Sequence, residues 1–186
     1  MAKILSRRLS EVIDGVVNDT QCAFVRAKQI FDGILVANKV IHSIKKRSSE
    51  DNNLILKLDF SKAYGYIRGF LDLVMFYMGF GKKWRNWIIE CVSTARAAVL
   101  VNGSATNEFR LCRRLRQGDP LSPYLFILVT EALHLLLVKA EVAGLIYGIP
   151  NIIMDQIFSH LQFADEIILF LKAEEETVHN EKHILR

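Results

Sequence analysis

HLQFADEIILF, residues 160–170, sets two adjacent carboxylates, Asp165 and Glu166, between two short apolar runs. Such runs, bounded by turn signals, read as buried strands, so the segment predicts two strands joined through Ala164-Asp165-Glu166. Two unit charges about 4 Å apart repel by roughly 4 kcal/mol at an effective dielectric near 20, and solvent, a basic neighbour or a cation must offset that. An arbitrary Asp-Glu pair is by default a polar turn facing water. What the rest of the chain brings to this pair decides whether it is ordinary.

A second acid ends a second apolar run. LILKLDF, residues 54–60, reads as a buried strand with Asp59 at its tip, and ionised carboxylates are rarely buried unpaired. Alone, Asp59 could be the N-cap of a helix beginning at Ser61. If the two strands are neighbours, their carboxylates instead converge on a site for hard divalent cations such as Mg²⁺. Two such ions about 3.5–4 Å apart can activate an attacking oxygen and stabilise a leaving phosphate oxygen.

The other elements follow from spacing. KILSRRLSEVIDGVV reads as an amphipathic helix, a second helix runs from about 29 to 44, and two more lie near 69–79 and 82–94. Trp84, Trp87, Ile88 and Cys91 form a core-packing stripe on the last of these, and Lys82, Lys83 and Arg85 at its start read as solvated. AAVLVNGSATNEFRL predicts a hairpin about Asn102-Gly103, since Asn-Gly accepts positive φ. RRLRQGDPLSP is a turn-rich approach to a long helix, about 121–142, that starts near Asp119-Pro120. KAEEETVHNEKHIL closes the chain as a helix. This order predicts an α+β fold, an antiparallel sheet with helices packed mainly on one face.

Bulk properties exclude several classes. The chain has 186 residues, 51% hydrophobic and 24% charged, enough to bury a core and unlike a disordered chain. Cys22, Cys91 and Cys112 show no CxxC spacing, against a zinc finger or disulfide scaffold and for a reducing, intracellular setting. The first residues lack a signal peptide's apolar stretch. YLFILVTEALHLLLV is interrupted by Glu131 and His134 and is short for a membrane span. A net charge of +4 is compatible with a polyanionic partner without demanding one. His179 and His183, at i and i+4, lack a third ligand, so a zinc site is disfavoured. His134 and His160 read as packed or hydrogen-bonded core histidines.

KLDFSKAY, RQGDPLSP and QFADE, in that order, resemble three successive palm motifs of reverse transcriptases, specifically the non-LTR, LINE-type retrotransposon enzymes of plants. QCAFVRAKQIFDGILVANKVI resembles the family's fingers segment, and MGFGKKWRNWIIECVSTARAAVLVNGS its linking region. RQGDPLSP is specific; LDF or FADE alone is not. The resemblance implies one partial reverse transcriptase domain over 1–186, fingers-like over about 1–52 and 80–117 and palm-like over about 53–79 and 118–186, with the thumb missing.

It also implies roles. Asp59 and Asp165, with Glu166 beside them, match catalytic metal-binding acids for two Mg²⁺ ions, with the Phe60 carbonyl near. Tyr64 matches an aromatic steric gate that favours deoxynucleotides. Gln117 and Gly118 match the loop over nucleotide and template, where glycine lets backbone approach closely. Lys28 stands where the family has a phosphate-reaching arginine, keeping the charge without the bidentate fork. Arg116, with Arg110, Arg113 and Arg114, could meet phosphates. The implied partners are an RNA template, a DNA primer and deoxynucleotides.

Several positions depart from the family pattern. Glu166 replaces the second Asp of FADD, and its extra methylene moves a carboxylate by roughly 1.5 Å. Gly65 stands where the family has Asp after the gate, Arg114 and Ala27 where it has glycine, and GYIRGFL is one residue short and lacks a usual Trp. The expectation is a retroelement polymerase fragment, weak or inactive as this chain, with uncovered apolar surface favouring self-association. The alternatives are a non-catalytic nucleic-acid-binding remnant of the same fold and an interaction protein with no nucleic-acid role.

Overall fold

Leu54, Leu56 and Leu58 alternate with Ile55, Lys57 and Asp59, and a period of two suits a strand with one face covered. A computed structural model of the chain describes residues 1–25, 28–46, 52–60, 67–94, 96–110, 118–150, 157–174, 177, 179, 180 and 184. In it this segment is strand β1, Asn53–Asp59. The FADE segment supplies β8, His160–Phe163, and β9, Glu166–Lys172. The three form one antiparallel sheet in the order β1-β9-β8. Separately, β2, Arg96–Ala97, pairs with β5, Phe109–Arg110, and β6, Ile149–Pro150, with β7, Ile157–Phe158.

The chain divides into two compact units, Met1–Val16 with Lys62–Val129, and Val17–Ser61 with Thr130–Arg186. The second holds the sheet. Its central strand β9 is apolar on both faces, because it is covered on both. Ile167, Leu169 and Leu171 join Leu56 and Leu58 against Leu137 and Ala140 of the long helix α5, Ser122–Val142. Ile168 and Phe170, with Leu161 and Phe163 of β8, meet Ala37 and Val40 of helix α2, Ile30–Lys46. The α+β class is as expected, but the one-sided covering needs correcting. Helices meet both faces over β8 and β9, and among the described residues one face stays open at β1, with Ile55, Lys57 and Asp59 exposed.

The first unit is mostly helical. Helix α1, Ala2–Val12, buries Leu5 and Leu9 and contacts helix α4, Lys82–Ser93. Helix α3, Ile67–Tyr77, packs on α4. Ile88 is fully buried, as the stripe predicts. Arg85 is not solvated as expected: it pairs with Asp72 at 2.9 Å and lies over Phe76. The Asn-Gly turn is present, with φ of 50° and 82° at Asn102 and Gly103, joining β3, Leu100–Val101, to β4, Ser104–Ala105. Those angles match the right-handed twist of the strands. At the start of α5, Asp119 Oδ1 accepts from the Leu121 N–H at 2.8 Å. Of the closing helix expected from Lys172 on, Thr177, His179, Asn180 and Ile184 are helical. Lys172 instead ends β9, Ala173 and Glu174 are not helical, and the rest lies outside the described residues. Among the described residues no helix is long and apolar enough to cross a membrane.

Helix α2 approaches the sheet closely because it carries Gly33. A Cβ there would lie 2.5 Å from Cys22 Sγ and 2.8 Å from Phe163 Cε1, closer than real side-chain carbons come. Gly33→Ala is therefore expected to destabilise the chain by about 1–3 kcal/mol, overpacking outweighing the helix preference of alanine. Urea unfolding measures this, and a Cys22→Ala background should recover part of the loss by removing the nearer clash. An unchanged or raised midpoint for Gly33→Ala contradicts the close approach.

Candidate active site

The register of β1 on β9 places the acids. Asp59, the last residue of β1, lies directly across from Glu166, the first of β9. Paired residues in an antiparallel ladder share a face, with Cα atoms about 4.5–5.5 Å apart. One step beyond, the Phe60 N–H donates to the Asp165 carbonyl at 2.8 Å, so the two strand tips stay joined past the last ladder pair. Three carboxyl-bearing residues from distant parts of the chain thus occupy one end of one sheet. Asp59 is exposed, and Asp165 and Glu166 are half-buried.

The repulsion among these acids has a local offset. Lys57, two residues before Asp59 and therefore on its face, pairs with Glu166 at 2.8 Å. Hydrogen bonding to Glu166 holds the Lys57 ammonium above its ordinary value, with Asp59 adding to the effect. Glu166 thus already has a cation. Among the described residues, no group of three or more His, Cys, Asp or Glu side chains is arranged to hold a metal ion.

Asp165 sits in a two-residue loop, since Phe163 pairs with Glu166. The loop turns through Ala164, whose φ of 52° falls in the left-handed region that L-residues avoid. Two glutamines hold it. Gln21 and Gln162 are both fully buried. Gln21 Oε1 accepts from the N–H groups of Ala23 at 3.0 Å and Ala164 at 3.2 Å. Its Nε2 donates to Gln162 Oε1 at 3.4 Å, and Gln162 Nε2 donates to the Thr130 carbonyl at 3.2 Å. Sequence reasoning missed this pair. The signal was there: in HLQF the polar residues occupy alternate positions, so His160 and Gln162 had to point to the same face.

The other expected site residues fall elsewhere. Lys28 pairs with Asp19 at 2.9 Å and donates to the Asn18 carbonyl at 3.3 Å. It lines a cavity of about 650 Å³ whose walls include His134, Glu141, Ser159 and His160 but none of the three acids. Gly118 has φ of 83°, which calls for glycine, and lies in the other unit. Tyr64, Gln117 and Arg116 lie outside the described residues, as do Ala27, Gly65, Arg113, Arg114, Cys112 and His183.

Behind the sheet, His134 Nδ1 and His160 Nε2 are 2.7 Å apart, and His160 Nδ1 is 3.0 Å from Ser159 Oγ, as expected of core histidines. Burial, with His134 beside it, pulls His160 from 6.5 down to about 4, and burial lowers His134 too. Burial pushes the carboxyls of Glu131 and Glu141 up; Glu131 still accepts from the Asn18 N–H, and Glu141 from the Ser159 hydroxyl.

Comparison with known proteins gives consistent results. The profile of the family described as "Reverse transcriptase (RNA-dependent DNA polymerase)" matches residues 1–186. The chain is 28% identical over 170 residues to an uncharacterized 149 kDa protein of transposon TX1 from Xenopus laevis, covering 91% of this chain and 12% of that one. It is 26% identical over 171 residues to a retrovirus-related Pol polyprotein from the type-1 retrotransposable element R2 of Popillia japonica, covering 90% and 22%. The chain thus spans less than a quarter of these relatives. The structure of apo telomerase from Candida tropicalis, truncated from its C-terminal domain, superposes with a TM-score of 0.56 at 13% identity, covering 98% of this chain and 35% of that one. That likeness concerns the fold alone.

The buried histidines give stability a pH dependence. Because the folded value of His160 lies below that of free imidazole, its contribution is complete above about pH 6.5 and is lost as pH falls towards 4. A shift of that size corresponds to roughly 3 kcal/mol at most. Denaturation of wild type and His160→Gln between pH 7.5 and 4 measures the difference, which cancels the opposing effect of Glu131 and Glu141. Equal slopes for the two proteins would show that His160 is not held neutral.

Proposed function

Because the chain belongs to the reverse transcriptase (RNA-dependent DNA polymerase) family, we propose that the paired ends of β1 and β9 form a magnesium site for nucleotidyl transfer onto a primer. The observation that carries this reading is the register itself, Asp59 across from Glu166 with the Phe60 N–H bonded to the Asp165 carbonyl. The relatives are transposon and R2-element proteins, which fits a domain from a non-LTR retroelement.

The donor chemistry suits the metal. Mg²⁺ prefers hard oxygens and is usually held by one or two carboxylates, with water and substrate phosphates completing its shell. Asp59 at the end of β1 and Asp165 in the two-residue loop before β9 supply such a pair, and the Phe60 carbonyl is a further oxygen donor. When bound, two such ions would polarise the attacking hydroxyl and stabilise the leaving phosphate oxygen. The protein's part is positional: the ladder fixes Asp59, and the Phe60 hydrogen bond fixes the backbone of Asp165. Glu166 could join only by releasing Lys57, which together with its extra methylene supports weak activity for this chain.

Other assignments belong to the same reading. Tyr64 would crowd a ribose 2′-hydroxyl, and Gln117 and Gly118 would lie over the nucleotide and template. Lys28 and Arg116 would meet phosphate, Lys28 after leaving Asp19. The fingers-like spans are about 1–52 and 80–117, the palm-like spans about 53–79 and 118–186. The ligands are an RNA template, a DNA primer and deoxynucleotides.

Two measurements test the proposal. In Mn²⁺ titration, Asp59→Asn and Asp165→Asn should each weaken binding by at least the ~10–100-fold that loss of a mere second-shell partner costs. Lys57→Met, which frees Glu166, should tighten it. In primer extension on oligo-primed RNA with Mg²⁺, wild type should extend weakly and Asp59→Ala not at all. Equal metal affinity in wild type and both aspartate variants defeats the reading. Salt-sensitive RNA binding that survives Asp165→Ala, with no metal binding by wild type, would instead support a non-catalytic remnant.

A further inference from the structure

We propose that Gln21 is a positioning residue for Asp165, an inference that rests on the metal-site reading above. Asp165 is bracketed by two backbone hydrogen bonds. On one side its own carbonyl accepts from the Phe60 N–H at 2.8 Å. On the other, the N–H of the preceding residue, Ala164, is held by the Gln21 side chain at 3.2 Å. The first bond follows from the strand ladder. The second depends on one side chain, brought from outside the sheet.

Gln21 is suited to that role. Its side-chain carbonyl accepts two N–H groups, those of Ala23 and Ala164, and an sp² oxygen has two lone pairs for them. Its amide donates to Gln162, itself tied to the Thr130 carbonyl, so Gln21 is held in one orientation by a connected network. The backbone adds a parallel bridge, with the Cys22 N–H donating to the Gln162 carbonyl and the Gln162 N–H to the Thr20 carbonyl, each at 2.9 Å. Gln21 and Gln162 are fully buried and the Ala164 bond is part-buried, so the acceptor that Gln21 supplies is poorly replaced by water.

The loop needs such a hold. With φ of 52°, Ala164 occupies the conformation that glycine adopts without penalty and alanine does not. Strained residues persist only where their surroundings over-determine them. Without the Gln21 acceptor, Ala164 has both a steric reason to leave the left-handed region and an orphaned N–H to satisfy. Either movement rotates the next residue, Asp165, and carries its carboxylate away from Asp59. Gln21 thus acts at one remove from the metal, as outer partners orient ligands elsewhere.

The test uses the full chain with Gln21→Met, which keeps length but removes the acceptor, and Gln21→Glu. A buried, protonated Glu retains a carbonyl acceptor and an O–H donor for Gln162. Val40→Ala, a buried α2 change, serves as the stability control. Gln21→Met should speed hydrogen exchange at the Ala164 amide well beyond the control and weaken Mn²⁺ binding by about 10-fold or more, with Gln21→Glu restoring both. Should Gln21→Met not fold, Gln21→Asn, which withdraws the same acceptor by one methylene, carries the test. Exchange at Ala164 no faster than in the control, or unchanged Mn²⁺ affinity in a metal-binding wild type, overturns the role. If wild type binds no Mn²⁺, the metal reading falls, and the Ala164 amide alone decides for or against Gln21.

Discussion

The seven-pair antiparallel ladder between β1 and β9 is the constraint on which the candidate site depends. It runs from Asn53 opposite Lys172 to Asp59 opposite Glu166. Its register is set by the core, since Leu56 and Leu58 must share a face with Ile167, Leu169 and Leu171. A slip of one residue would turn the leucines to solvent and drive Lys57 and Asp59 into the α5-facing core. The apolar pattern that holds the sheet together therefore also decides which carboxylates meet at its end. Packing and site geometry are one requirement.

Charge is handled differently at the strand tips and in the interior. At the strand tips the acids remain accessible, and Lys57 lies among them as a counter-charge to Glu166. Deeper in, uncharged groups predominate: paired glutamines, histidines whose protonation burial opposes, and a serine between His160 and Glu141. Neutral, hydrogen-bonded groups avoid the cost of burying an ion. This network reaches the two-residue loop through Gln21, so the polar interior and the strand-tip acids are mechanically linked.

Much of the architecture was legible in the order of residues. The helices at 30–46 and 82–93 follow from apolar spacing, that at 122–142 from its Asp119-Pro120 start, and the two turns from Asn102-Gly103 and FADE. These features are local: a few neighbouring residues satisfy their own backbone groups. Arg85 shows where locality fails. In KKWRNW it reads as one of three solvated cations, and only the packing of α3 on α4 brings Asp72 to it. The one-sided sheet failed for the same reason, since periodicity in β9 does not say which helices cover its two faces.

The motifs KLDF and QFADE fixed the chemistry available, carboxylates at the tips of two apolar segments, and the family likeness fixed their expected use. What sequence alone could not decide was adjacency and orientation. That Asp59 faces Glu166, that Glu166 turns to Lys57, and that Gln21 grips the loop before Asp165 all depend on contacts between residues far apart in the chain. Such contacts come from burying two helices on a shared sheet. Residue order encodes which groups can bond, whereas the packed core determines which of them come within reach.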